Sequence, residues 1–327
     1  MQRLRAIAIL LLGLVMTPAV SLAEIAFWGY TGIAGPGVNH LDEVRAAGIP
    51  TNVASVDFAE DWETTDLGSI ISSFQDAGVG AALFLDQILY KKVYVAASRC
   101  LDAGGPFRWK LRGNWQRRLE RFAEQNGRYI DPATTLFLVV SSEVNNLCLS
   151  LADVETGASA VRSRFPGIPT VMGYGFDGSL GQPAPAEIPP SIDWVGFYKY
   201  GYYDPATPAH PCNTDGGFLT AFDNLVSKLG PHQRIILVPD GFWAVHLHSH
   251  LPSKEGPGTG WPRWYLEHLA LRYESFALAQ PKVIGMIAFL WPSLQHIGIT
   301  GTRDLPQALR DRHREIGCRV VGGCQPE

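Results

Sequence analysis

The amino-acid sequence predicts an α/β protein, a single (β/α)8 TIM barrel, and three observations carry that prediction. Eight runs of strand length, rich in apolar, β-branched and aromatic residues, recur along the 327 residues. Segments whose apolar residues return at three- and four-residue steps separate most of them, the period of a helix with one buried face. The strands read as continuous apolar runs, as expected where both faces of a parallel sheet are covered. Eight such units favour closure into a barrel over an open sheet.

In chain order, the first strand is predicted at Ile25–Tyr30 and is followed by a helix at His40–Ala47. The second strand, Thr51–Asp57, leads to a helix at Leu67–Ala77, and the third, Gly80–Asp86, to one at Asn114–Asn126, where Leu119, Phe122 and Ala123 mark the buried face. The fourth, Thr135–Ser142, precedes a helix at Leu151–Phe165. The fifth, Pro169–Tyr174, is joined to the sixth, Ile192–Tyr198, by a Gly- and Pro-rich connection with at most a short helix. A helix at Phe218–Leu229 shows the same period in Leu219, Phe222, Leu225 and Val226. The seventh strand, Arg234–Pro239, leads to a helix at Trp264–Ala279, and the eighth, Val283–Trp291, to a terminal helix at Leu305–Glu315.

Residues 1–23 read as a secretory signal peptide: two arginines, an apolar run from Ala6 to Met16, the breaker Pro18, and small residues Ser21 and Ala23 before the cut. This predicts a secreted or periplasmic protein whose residues 24–327 form the barrel, with no stable membrane insertion after cleavage. No later segment offers ~20 uninterrupted apolar residues. Hydrophobic residues make up 46% and charged ones 18%, enough for a large core and too apolar for a disordered chain. Without Arg3 and Arg5, 25 basic residues face 31 acidic ones, a net charge of −6, which argues against nucleic acid as partner. Of five cysteines, Cys318 and Cys324 are placed to staple the tail. Cys100, Cys148 and Cys212 leave one pair and one remaining thiol, with the connectivity open. No CxxC pair suggests a zinc knuckle.

Catalytic groups of such barrels project from the C-terminal ends of the strands. There the sequence places Trp28 and Tyr30, Asp57, Asp86, Glu143 with Asn146, Tyr174, Tyr198, Asp240 and Trp291. Carboxylates mixed with aromatic rings suit a carbohydrate, whose C–H faces stack on rings while its hydroxyls take polar partners. Glycoside hydrolysis needs two carboxyl groups, and Glu143 as acid with Asp240 as nucleophile or base is the first-choice pair. Asp57 and Asp86 are the reserve partners. Trp28, Tyr30, Asn146, Tyr174, Tyr198 and Trp291 are the candidate sugar contacts. No cofactor and no metal are expected.

Glu143 after strand four, a carboxylate after strand seven, the aromatic strand six (Gly196-Phe197-Tyr198-Lys199-Tyr200) and Leu290-Trp291-Pro292 after strand eight resemble the clan A glycoside hydrolases. That resemblance implies an acid/base at Glu143, a nucleophile at Asp240 and a sugar-flooring tryptophan at Trp291. Two departures stand out: the clan's Asn-Glu pair reads Ser142-Glu143, and its second glutamate reads Asp240. The shorter aspartate withdraws its carboxyl by roughly 1.5 Å. Retention needs a separation of ~5–5.5 Å and inversion ~6.5–9.5 Å, so the stereochemistry stays open.

Two competing readings remain. His246, His248 and His250 alternate and would share one face if extended, an arrangement suited to a metal-dependent barrel hydrolase. A non-catalytic carbohydrate-binding barrel would keep the same aromatic residues. No Gly-x-Ser-x-Gly elbow, Walker loop or dinucleotide-binding glycine pattern occurs.

Overall fold

The structure, a computed structural model, describes residues 24–95, 107–175, 187–200, 215–244, 248 and 269–324. The expected signal peptide and Cys100, Cys212, His246 and His250 lie outside the described residues.

Eight strands, β1 (Phe27–Gly35), β2 (Val53–Asp57), β3 (Gly80–Phe84), β4 (Thr135–Ser141), β5 (Thr170–Gly175), β6 (Trp194–Tyr198), β7 (Arg234–Leu237) and β8 (Val283–Ala288), form the barrel. Each pairs in parallel with the next. Closure comes from β8 returning to β1, with Phe27 opposite Gly285 and Tyr30 opposite Ala288. Besides the single turn Asp86–Leu89, seven helices are described around it: α1 (Leu41–Ala46), α2 (Leu67–Asp76), α3 (Trp115–Asn126), α4 (Leu151–Arg164), α5 (Asp215–Val226), α6 (Ala270–Ala279) and α7 (Gln307–Val320). All eight predicted strands are present, and β1 runs on past Tyr30 to Gly35.

Local chemistry accounts for the helices. In α2 the apolar residues Leu67, Ile70, Ile71 and Phe74 are buried, as the helical period requires. The Asp66 carboxylate caps it by accepting from the Ser69 N–H at 3.1 Å, and Ser150 caps α4 through Asp153 N–H at 3.0 Å. Such caps contribute about 1 kcal/mol each.

The barrel wall separates two apolar layers. Outward residues such as Trp28, Val56, Leu83, Val140, Met172 and Phe197 pack beneath the helices. Inward residues Phe27, Val53, Ala82, Phe137, Val139, Val171, Ile236 and Ile287 fill the axis. At the N-terminal end Phe27, Phe137 and Trp194 form a plug, with ring centroids 5.7, 6.0 and 5.7 Å apart. Burying each such ring stabilises the fold by roughly 2–3 kcal/mol and closes that end. Higher up the axis is crowded by backbone: a Cβ on Gly29 would lie 1.8 Å from the Val53 carbonyl oxygen, and one on Gly173 1.7 Å from that of Ser142.

Two short pairings decorate the C-terminal mouth. An antiparallel hairpin, Tyr90–Tyr94 with Phe107–Leu111, is inserted between β3 and α3. Phe242–Ala244 pairs with Ile299–Gly301, tying the segment after β7 to the one after β8. Cys318 and Cys324 form a disulfide at the end of α7. Cys148 is also disulfide-bonded, its partner lying outside the described residues. No described helix is long and apolar enough to cross a membrane.

Candidate active site

Three consecutive strands bring carboxyl groups to one cavity of about 480 Å³ at the C-terminal mouth: Asp57 ends β2, Asp86 follows β3 and Glu143 follows β4. Thr31, Gly32, Phe58, Phe84, Gln87, Ser142, Tyr198, Phe289, Leu290, Pro292 and Leu294 complete its lining.

Each acid is held in place. Asp57 accepts a bond from Ser55 Oγ at 2.8 Å, and the same Ser55 oxygen accepts from the Gly32 N–H at 2.7 Å, locking β2 to the end of β1. Burial pushes the Asp57 carboxyl up to about 6 against the bond from Ser55, and the charge of Asp86 adds to the rise. Asp86 opens the single helical turn Asp86–Leu89. It accepts from the Ser142 N–H at 2.6 Å and from Ser142 Oγ at 3.2 Å. Burial pushes it, too, up to about 6, opposed by these two bonds. Because Ser142 precedes Glu143, the Asp86–Ser142 clamp fixes the point at which Glu143 leaves β4.

Glu143 is half-buried. Its Oε2 accepts from Asn146 Nδ2 at 3.1 Å, and its carbonyl accepts the Leu147 N–H at 2.9 Å, so residues 143–147 turn tightly over the strand end. Asn145 braces that turn by accepting the Gly175 N–H at 2.9 Å and donating to the Gly175 carbonyl. Tyr198 lies over β5 and β6, where a Cβ on Gly173 or Gly196 would come within 2.6 or 2.8 Å of its ring. Burial raises its phenol far above the ordinary value, and the charges of Glu143, Asp86 and Asp57 add to the rise. One tyrosine therefore senses all three acids.

The remaining expected residues are placed elsewhere. Trp28 and Tyr30 point outward beneath the helices. Trp28 packs edge-on against the His313 ring at 5.2 Å, and the Tyr30 hydroxyl bonds His313 Nδ1 at 2.8 Å. Residues 28 and 30 share a face, as expected, but on a barrel strand that face is the outer one, while Phe27, Gly29 and Thr31 take the inner positions. Tyr174 is buried in the same outer layer. Trp291 is 1% exposed and packs on Tyr30 at 5.2 Å, its Nε1 donating to Glu43 at 3.3 Å. The strand ends at Ala288, so the alternation that would carry Trp291 inward stops, and Phe289 is the aromatic residue presented to the cavity.

Asp240 is not among the residues lining this cavity. Its side chain is fully buried, accepts a bond from Tyr273 on α6 at 3.3 Å and lies 3.7 Å from His248 Nε2. His248 accepts the Ala244 N–H through Nδ1 at 2.9 Å and stacks on Trp243. It is therefore a packed side chain, and among the described residues no group of three His, Cys, Asp or Glu is placed to hold a metal ion. Sequence reasoning missed Phe84, Ser142 and Phe289. The signal for the first and last was available: each stands two residues after an inward position, Ala82 and Ile287.

The molecule is thus a closed parallel barrel with an acidic, aromatic-walled cavity at the mouth where barrel enzymes carry their sites. Solved structures share that fold. A GH113 β-mannanase, AaManA from Alicyclobacillus acidocaldarius in complex with ManMIm, superposes with a TM-score of 0.51 at 12% identity, covering 91% of this chain and 98% of that one. A GH113 β-1,4-mannanase gives 0.52 at 11% identity, covering 89% and 99%. ScGas2 in complex with compound 8 gives 0.45 at 11% identity over 84% of this chain, which spans 57% of the ScGas2 chain. No protein-family model matches the chain, and no curated protein matches it in sequence.

Proposed function

We propose that the protein is an exported glycoside hydrolase, cut after Ala23, whose general acid is Glu143 and whose second carboxylate is Asp57. The observation that carries this reading is the convergence of Asp57, Asp86 and Glu143 on one cavity walled by Phe84, Tyr198 and Phe289. Asp240, the partner expected from the sequence, sits on the helix side of the barrel wall, whereas Asp57 already faces the cavity. Asp86 is committed to Ser142 and acts by positioning.

Strands β2 and β4 flank β3, so two strand spacings of ~4.8 Å separate the acids' points of origin, about 10 Å. Side chains leaning toward one another from such origins would leave the ~6.5–9.5 Å between carboxyl groups that admits a water molecule, and inversion is the stereochemistry proposed. Glu143 gives its proton to the departing glycosidic oxygen as the bond from the anomeric carbon breaks. Asp57 takes a proton from the water that forms the new bond. A base titrating near 6 is largely ionised at neutral pH and still basic enough to assist. The ring faces of Phe84 and Phe289 supply apolar contact for sugar C–H groups.

The test is release of reducing ends from a panel of polysaccharides that includes β-1,4-mannan, the class named for the structural neighbours. Proton NMR then reads the anomer first formed. Hydrolysis with inversion, lost in Glu143→Gln and Asp57→Asn, is the expected result. Full activity in both variants, or no cleavage of any glycan, would overturn the proposal.

A further inference from the structure

The hairpin inserted after β3 carries an unusual arrangement of charge. Its register sets Lys91 directly opposite Lys110 and Val93 opposite Arg108, all on one face. Like charges opposed across an antiparallel pair destabilise it. Lys91, Lys110 and Arg108 are all exposed, and none forms an ion pair among the described residues. The nearby carboxylate is Glu60, whose pKa is lowered first by Arg112, which bonds it at 2.9 Å, and only weakly by Lys91. In a chain of net charge −4, three cations therefore share one hairpin face, and of these Lys91 is coupled to Glu60.

The other face bears aromatic rings and one cation, Lys92, whose Nζ lies 4.6 Å from the centre of the Phe107 ring. Tyr94 is 66% exposed and meets Phe107 edge-on at 5.7 Å. The hairpin is also attached to the active-site turn: the Trp109 N–H donates to the Leu147 carbonyl at 2.9 Å, and Leu147 in turn bonds Glu143. Its first strand starts three residues after Gln87, which lines the cavity. A polymer leaving the cavity past Glu143 would meet this hairpin next.

Resting on the glycoside-hydrolase reading, we propose that Lys91, Arg108 and Lys110 form an outer subsite for the acidic groups of a polyanionic polysaccharide. The geometry also explains why the cations are at the rim. With Glu143 protonated as the acid, the Asp57 and Asp86 carboxylates inside the cavity repel an anionic unit at the point of scission at neutral pH, so the unit cleaved there is uncharged and the acidic units lie further along the chain.

The experiment measures binding in the Glu143→Gln background, which leaves the polymers uncut. Polygalacturonate and dextran sulfate serve as carboxylate and sulfate probes, and β-1,4-mannan as the neutral one. At least one acidic polymer should bind about tenfold or more tightly than mannan. Its affinity should fall as salt is raised from 0.1 to 1 M, where the screening length shrinks from ~10 to ~3 Å. Adding Lys91→Gln, Arg108→Gln and Lys110→Gln should remove most of that preference. The triple change relieves the Lys91–Lys110 repulsion, so its melting temperature should not fall, which separates lost binding from lost fold. Undiminished acidic binding in the charge variant, or no preference over mannan, would overturn the subsite. Acidic binding by a wild-type protein that cleaves no glycan would instead sink the hydrolase reading and leave the subsite standing.

Discussion

Replacing Asp57 by asparagine should stabilise the protein at neutral pH while abolishing turnover. Burial raises this carboxyl from its ordinary 3.8 to about 6. A rise of about two pH units corresponds to about 3 kcal/mol of differential interaction between the protonated and charged forms. The sign follows from linkage. A carboxyl with a raised folded pKa contributes stability that is fully present below 3.8 and is lost as pH climbs through about 6. At pH 7.5 the wild type therefore carries the full cost of a buried charge. The asparagine side chain of the variant is neutral at every pH, and its carbonyl oxygen still accepts the bond from Ser55. Denaturant unfolding at pH 7.5 should show the variant more stable by up to about 3 kcal/mol, or about 4 °C in Tm for a chain of 327 residues. Near pH 4 the two proteins should coincide. A variant destabilised equally at both pH values would refute the reasoning, because it would mean that Asp57 serves the fold through its charge.

Four further outcomes follow from the same geometry. Glu143→Gln should lower kcat by about 10²–10⁴-fold with an unchanged melting temperature, measured by reducing-end release and calorimetry. Gly173→Ala should cost more than about 3 kcal/mol, because its Cβ would lie 1.7 Å from the Ser142 carbonyl; failure to express as a folded chain, or a steep loss in denaturant midpoint, checks it. Burial depresses His313 from 6.5 to about 3, so the stability tied to its neutral form is present above 6.5 and drains away as pH falls toward 3, by up to about 5 kcal/mol. The slope of stability between pH 6.5 and 4 should accordingly be shallower in His313→Asn. Phe289→Ala should raise KM and, because the ring also packs edge-on against Phe242 at 5.3 Å, cost some stability, whereas Trp291→Ala should cost about 3–5 kcal/mol, the usual range for emptying a buried aromatic site, and leave KM nearly unchanged in the fraction that folds.

The architecture was legible because a covered parallel barrel writes two periods into the chain, and both are strong here. Every predicted strand is found, and α2 and α4 depart from prediction by one residue at their C-termini. The facing of individual residues was harder to read. On a strand buried on both sides, apolar character does not distinguish axis from helix layer, so Trp28, Tyr30 and Tyr174 were expected in the cleft and pack beneath helices. Glycine carried the missing information. Gly29, Gly173 and Gly196 occupy inward positions where a Cβ would strike a neighbouring strand or Tyr198. Their alternation with bulky residues marks the latter as outward. Past the strand ends that rule expires, which is why Phe289 replaces Trp291 at the cavity. The hairpin after β3 is not legible in the sequence because Tyr90–Tyr94 has two lysines in a short run and lacks the continuous apolar character of a barrel strand.

The position of Asp240 sharpens the argument for a site confined to β2, β3 and β4. For Asp240 to serve the cavity, its carboxylate would have to leave Tyr273, a residue anchored on α6 that also donates to the Lys199 carbonyl at 3.0 Å, and give up its proximity to His248. His248 accepts the Ala244 N–H at Nδ1, so its remaining proton is on Nε2, the nitrogen that faces Asp240. The aspartate thus accepts a bond from Tyr273 and faces a ring N–H at 3.7 Å on the far side of the wall. Asp57, in contrast, needs no rearrangement to face substrate, and the cost of holding it there is already present as its raised pKa. A group that is costly to the fold and open to a cavity is the stronger candidate for chemistry than one satisfied by its neighbours.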